Sequence, residues 1–127
     1  MENLYVKATK HSLKIDLNTN GTIILKGRSF PENTFEFYAP MMNWIKNYFK
    51  ESPAQDTIID LEVTYCNSGS TMLFFDLFDI LIQNCENNNI VVNWHYDEEN
   101  DTMEEMGTDI KEEFSDLNIN LNLIITK

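Results

Sequence analysis

From Thr57 onward the chain switches repeatedly between two hydrophobic periods, and that switching leaves few folds open to it. In Thr57–Tyr65, Ile59, Leu61, Val63 and Tyr65 alternate with Asp60, Glu62 and Thr64. This is the pattern of a half-buried strand. Ser70–Asn84 is apolar nearly all round, broken by Asp76, Asp79 and Gln83, and reads as a helix. Ile90–Tyr96 is strand-like again, and Asn100–Phe114 reads as an acidic helix. In the last strand, Leu117–Ile125, Leu117, Ile119, Leu121 and Leu123 alternate with Asn118, Asn120 and Asn122. Strands separated by helices need crossover connections, so this half implies a largely parallel sheet.

The first third reads differently. Leu4–Ala8 and Leu13–Leu17 are short alternating segments, and Asn18-Thr19-Asn20-Gly21 is a turn signal before the strand Thr22–Lys26. Two strands joined this way form a hairpin. Gly27 is expected to end the third strand. Phe37, Met41, Trp44, Ile45 and Tyr48 then share one helical face. Pro40 places the helix start near Ala39, because proline is favoured in a first turn. Pro31–Tyr38 reads as a separate helical turn, and Ser52-Pro53 closes the helix.

The order β-β-β-α-β-α-β-α-β predicts a single α/β domain over residues 1–127. A sheet covered on both faces would carry continuous apolar runs in its strands. The acids and asparagines at alternate positions instead predict one wet face. The expectation is a two-layer domain, with a mixed sheet of about six strands and three main helices mostly on one face.

Charge narrows the function. Nine Lys and Arg stand against twenty-one Asp and Glu, giving a formal charge of −12. Such a surface is repelled by nucleic-acid phosphates and by anionic membranes. Ten of the acids fall between Asp97 and Asp116, offset there only by Lys111. Met1–Lys14 lacks the apolar stretch of a signal peptide. Met72–Ile82 is too short to span a bilayer. Cys66 and Cys85 have no paired-ligand spacing, so neither a disulfide framework nor a zinc site is expected. The reading is a soluble cytoplasmic protein without metal or cofactor, and without nucleic-acid or membrane partners.

Three segments carry candidate function. In Gly27–Asn33, Arg28 is a forked donor suited to an anion, followed by Pro31, Glu32 and Asn33 at a strand-to-helix connection. In Tyr65–Thr71, Asn67, Ser68, Gly69, Ser70 and Thr71 enter the most apolar helix. Small hydroxyl residues there serve as caps. Free N–H groups and the helix dipole at the same place also accommodate an anion. A phosphate on Ser68 would add about −1.5 to −2 charges to an uncharged loop. The segment lacks the glycine-lysine pattern of a nucleotide-binding loop. In Trp94–Gly107 the acids mimic a calcium loop, but Thr102 and Thr108 stand where glycine and glutamate are needed. His95 should point away from the face that carries Trp94 and Tyr96. An enzyme reading would rest on Asp97 and Glu99 as paired carboxylates, and nothing local lowers the pKa of Cys66.

Taken in order, these segments resemble the SiaC family of bacterial regulatory phosphoproteins. That family carries G-R-S-x-P-E-N, then E-F-Y-x-P with a following tryptophan and tyrosine. An aromatic-x-N-T-S-S loop comes next, then W-x-Y before an acidic run with D-M-x-E-x-G. The counterparts here are Gly27–Asn33, Glu36–Pro40 with Trp44 and Tyr48, Tyr65–Ser70, and Trp94–Gly107. The resemblance implies a STAS-like fold and a non-enzymatic partner switch. A cognate protein kinase would phosphorylate the loop and a PP2C-type phosphatase would reverse it. The unphosphorylated form would bind and activate an effector such as a diguanylate cyclase, in control of biofilm or aggregation. The family's acceptor threonine falls on Ser68. Gly69 replaces the following serine, and Thr71 and Met72 stand where a lysine is frequent. An unphosphorylated structural partner subunit is the further alternative.

Overall fold

The computed structural model describes residues 1–51 and 53–125. Its strands are β1 (Leu4–Val6), β2 (Lys14–Leu17), β3 (Thr22–Ser29), β4 (Asp56–Cys66), β5 (Asn89–Asp97) and β6 (Asn118–Ile124). Its helices are α1 (Thr34–Phe37), α2 (Ala39–Glu51), α3 (Ser68–Asn84) and α4 (Asp101–Glu113). Ser52, expected to close α2 with Pro53, lies outside the described residues.

The six strands form one mixed sheet in the order β1-β2-β3-β4-β5-β6. β1, β2 and β3 pair antiparallel, and β3 to β6 run parallel. Each parallel connection steps one strand in the same direction. Right-handed crossovers that never reverse direction must lay α2, α3 and α4 on the same face. Burial along β4 follows that geometry: Thr57, Ile59, Leu61 and Val63 are buried, Ile58 is exposed, and Asp60 and Glu62 are intermediate.

The core lies between sheet and helices. Met41, Trp44, Ile45 and Tyr48 of α2 face it as the periodicity predicts, joined by Phe49. Phe37 does not join them. It sits in the separate turn α1 and is 45% exposed. From α3, Leu73, Phe74, Leu77, Phe78 and Leu81 fill the centre of the core, and from α4, Met103, Met106 and Ile110 complete it. Phe74 meets Trp94 edge-on, with ring centroids 6.4 Å apart.

The open face is polar and cross-linked. Lys26 Nζ lies 3.3 Å from Glu62. Asp60 Oδ1 accepts from Asn93 Nδ2 at 3.0 Å and lies 3.1 Å from His95 Nε2. Asn120 Nδ2 donates to Asn93 at 3.2 Å. This explains the asparagines and acids of β4, β5 and β6, which pair with one another on the wet side. His95 does point away from buried Trp94.

Several boundaries shift. The first strand stops at Val6 rather than Ala8. Gly27 does not end β3, which runs on to Ser29 past a register shift between Gly27 and Arg28. α3 begins at Ser68, two residues before the expected Ser70.

Candidate functional site

Parallel α/β sheets present their sites beyond the carboxyl ends of the strands. Here the carboxyl ends of β3 and β4 lie side by side, with Ser29 opposite Cys66, and the chain crosses from there into α1 and α3. A backbone bond from Asn67 N–H to Ser29 O at 3.0 Å ties the two exits together.

The register shift arranges the side chains at this end. Gly27 pairs with Val63, but Arg28 pairs with Tyr65, so Thr64 is the extra residue of a bulge. A bulge reverses which residues face which side. Tyr65, expected with Ile59, Leu61 and Val63 on the core face, is therefore turned outward and is 48% exposed. Cys66 is turned toward the helices, where its Sγ lies 3.4 Å from Thr71 Oγ1 and 3.7 Å from Met106 Sδ. Gly27 permits the bend, with φ at 124°.

Asn67 caps α3. Its Oδ1 accepts from Ser70 N–H at 2.9 Å, and its carbonyl accepts from Thr71 Oγ1 at 3.1 Å. Neither Ser68 nor Ser70 is the cap. Ser70 is fully buried, and its Oγ lies 2.7 Å from Ser29 Oγ, which lies 2.8 Å from Tyr38 Oη. Gly69 packs against Thr34 of α1: a Cβ built on it would come within 2.7 Å of the Thr34 hydroxyl. With Ser70 and Thr71 turned inward, Ser68 is left exposed as the first residue of a 17-residue helix. Among the described residues its hydroxyl has no hydrogen-bond partner.

The other expected site residues divide. Pro31 is buried, whereas Glu32 and Asn33 are exposed on the way into α1. Asn33 Nδ2 donates to Glu36 at 2.6 Å. Arg28 lies on the opposite side of the sheet from Ser29, because successive strand residues face opposite ways. Its Cζ is 5.1 Å from the Phe30 ring centroid and 5.7 Å from that of Tyr65. The sequence reading did not single out the exposed apolar groups around the exit, Phe35 and Phe37 of α1 and Met72 of α3. Their signal was available: aromatic residues at alternate positions of a turn too short to bury both.

Burial pushes the Cys66 thiol up, and the Thr71 hydrogen bond offsets this only in part. A thiol held neutral is a poor nucleophile. Asp97 accepts from the Glu99 N–H at 2.9 Å, shaping the turn into α4, and Glu99 is exposed. Among the described residues, no group of three or more His, Cys, Asp or Glu is placed to hold a metal ion. No described helix is long and apolar enough to cross a membrane.

The cap is testable by itself. Asn67→Ala is expected to lower the unfolding free energy by about 1 kcal/mol. Asn67→Asp should restore most of it. Urea denaturation of the three proteins checks this, and an unchanged midpoint for Asn67→Ala would contradict the capping role.

Comparison with known proteins agrees with this layout. The apo-SiaC structure from Pseudomonas aeruginosa superimposes with a TM-score of 0.87 at 23% identity, covering 96% of this chain and 99% of that one. The structure of the diguanylate cyclase SiaD in complex with its activator SiaC, from the same organism, gives 0.87 at 22% identity, covering 95% and 99%. No curated protein matches. Residues 6–124 match the SiaC family model, and the chain belongs to the SiaC family of regulatory phosphoproteins.

Proposed function

We propose that this protein is a non-enzymatic partner switch whose phosphoacceptor is Ser68. The observation that carries the reading is the state of that one side chain. It is an exposed, unengaged hydroxyl at the first position of a long helix, while every neighbouring polar side chain from Asn67 to Thr71 is hydrogen-bonded. A cognate protein kinase would add the phosphate, a PP2C-type phosphatase would remove it, and the unphosphorylated form would bind and activate an effector. A diguanylate cyclase is the effector class suggested by the Pseudomonas aeruginosa complex.

The physics of the position separates folding from binding. A phosphate of about −1.5 to −2 charges beside the free N–H groups of α3 is favourable for the helix. It is unfavourable for a partner. The surrounding surface offers no basic group and is partly apolar, with Phe35, Phe37 and Met72 exposed beside the acidic Glu32 and the uncharged Asn33, Asn67, Gly69 and Thr71. A partner seated there would have to strip water from the phosphate without a compensating cation.

Two results are expected. Incubation with the kinase and ATP modifies the wild type at Ser68, and Ser68→Ala is left unmodified. Phosphorylation or Ser68→Glu weakens effector binding by at least about tenfold, equivalent to about 1.4 kcal/mol, without lowering thermal stability. Equal phosphorylation of Ser68→Ala would remove Ser68 from the mechanism. Unchanged affinity in a calorimetric titration would remove the switch.

A further inference from the structure

The acidic chain has a basic region. Between Lys7 and Arg28 lie five of its nine basic residues, with Asp16 the sole acid, a net +4 within a chain of −12. The fold brings three of those bases onto the open face of the sheet. Lys14 of β2 stands directly opposite Lys26 of β3, and Arg28 follows on the same side of β3. Like charges directly opposite each other across a strand pair oppose folding. Glu62 answers Lys26 at 3.3 Å, and Asp16 lies farther along β2 on the same face.

Arg28 is the chain's only arginine. Among the described residues no carboxylate pairs with it, although the chain has twenty-one acids. It is held over Phe30 and Tyr65. Phe30 is in turn braced edge-on by His11, with ring centroids 4.9 Å apart. A cation–π contact of this kind holds the guanidinium beside the two rings and leaves N–H groups to donate to a carboxylate. Arginine and aromatic residues together are also the composition of interface anchors.

We propose that this end of the open face is a docking surface for an acidic segment of a partner protein, with Arg28 as its anchor and Lys14 and Lys26 beside it. The spacing suits an extended acidic peptide. Lys26 and Arg28 are two residues apart on one strand, about 7 Å, which matches alternate side chains of a facing extended chain. A nucleic acid is the poorer fit, because its dense phosphates would meet the excess negative charge of the rest of the molecule. The surface lies across the sheet from Ser68, so it does not depend on the phosphorylation reading.

The experiment is a titration of the ¹⁵N-labelled full chain with a short poly-L-glutamate peptide, followed by NMR. A short single-stranded DNA of equal charge is the second arm. The expected result is peptide-induced shifts confined to the Arg28 side chain and the amides around Lys14, Lys26, Phe30 and Tyr65. Arg28→Ala should weaken the peptide by at least about fivefold, and Arg28→Lys by less, since it keeps the charge and loses the fork. Affinity should fall as salt is raised past about 0.15 M, where screening acts over about 8 Å. Shifts that are absent, centred elsewhere, or unaltered in Arg28→Ala overturn the proposal. So does binding of the DNA but not the peptide.

Discussion

Gly107→Val should lower the unfolding free energy by about 3 kcal/mol and the melting temperature by roughly 10 °C. Gly107 is buried in the middle of α4, where it lets the helix approach the sheet. A Cβ built there would stand 2.5 Å from Trp94 Cδ1, 2.6 Å from Trp94 Nε1 and 3.1 Å from Leu121 Cδ2. The indole cannot easily retreat. It is 1% exposed, its Nε1–H donates to Met103 O at 2.9 Å, and Phe74 stands against it. Two effects compete at this position. Replacing glycine in a helix interior gains up to about 1 kcal/mol of propensity for alanine, and less for valine. Overpacking a filled core costs about 1–3 kcal/mol. Overpacking dominates because the nearest atoms belong to a locked ring rather than to a flexible chain end. Gly107→Ala should therefore destabilise by less, about 1–2 kcal/mol. Urea unfolding and the near-ultraviolet circular dichroism of Trp94 check both variants. A midpoint unchanged or raised in Gly107→Val would show that α4 can lift off the sheet at little cost.

That contact also shows what a sequence conveys and what it withholds. The tryptophan of W-x-Y and the glycine of D-M-x-E-x-G read as separate motifs along the chain. In the fold they are two sides of one contact between β5 and α4. Element order, parallel pairing and the wet face were legible because each depends on a local period, 2 or 3.6, that burial enforces along a whole segment. Three features were not legible, because they depend on one residue or on partners far along the chain. The bulge at Thr64 reverses Tyr65 and Cys66 although the alternation through Val63 predicts otherwise. Phe37 continues the helical spacing of α2 on paper, yet Tyr38 closes α1 first and leaves Phe37 outside. Asn67 takes the cap that the serines were expected to supply, because the helix begins at Ser68 and so puts the Asn67 side chain in reach of the Ser70 N–H, while Ser70 points inward. For the candidate site, the exposed hydroxyl of Ser68 was foreseeable at a helix entrance. The buried hydroxyls beneath it were not.

Those hydroxyls set the second large effect. Ser29→Ala is expected to cost about 2–4 kcal/mol, because it orphans two buried groups at once, each worth about 1–3 kcal/mol. The first part of this chain of bonds has a direction. Leu13 N–H donates to Tyr38 Oη at 3.2 Å, so the phenol spends a lone pair there. Burial pushes the Tyr38 phenol up, only partly offset by its bonds to Ser29 and Leu13, and it keeps its proton. The acceptor within reach of that proton is Ser29 Oγ at 2.8 Å, which is also hydrogen-bonded to Ser70 Oγ at 2.7 Å. Removing Ser29 leaves the Tyr38 proton without an acceptor and the Ser70 hydroxyl without its hydrogen-bond partner, both at 0% exposure. Ser70→Ala removes one end of the chain and should cost less. The double variant should cost little more than Ser29→Ala alone, since both changes break the same link. The same link joins the first turn of α3 to β3, so its loss should also speed amide exchange at Ser70 and Thr71 while exchange in the middle of α3 stays slow. Additive costs in the double variant, or unaltered exchange in that first turn, would mean that the Asn67 cap alone holds the segment that presents Ser68.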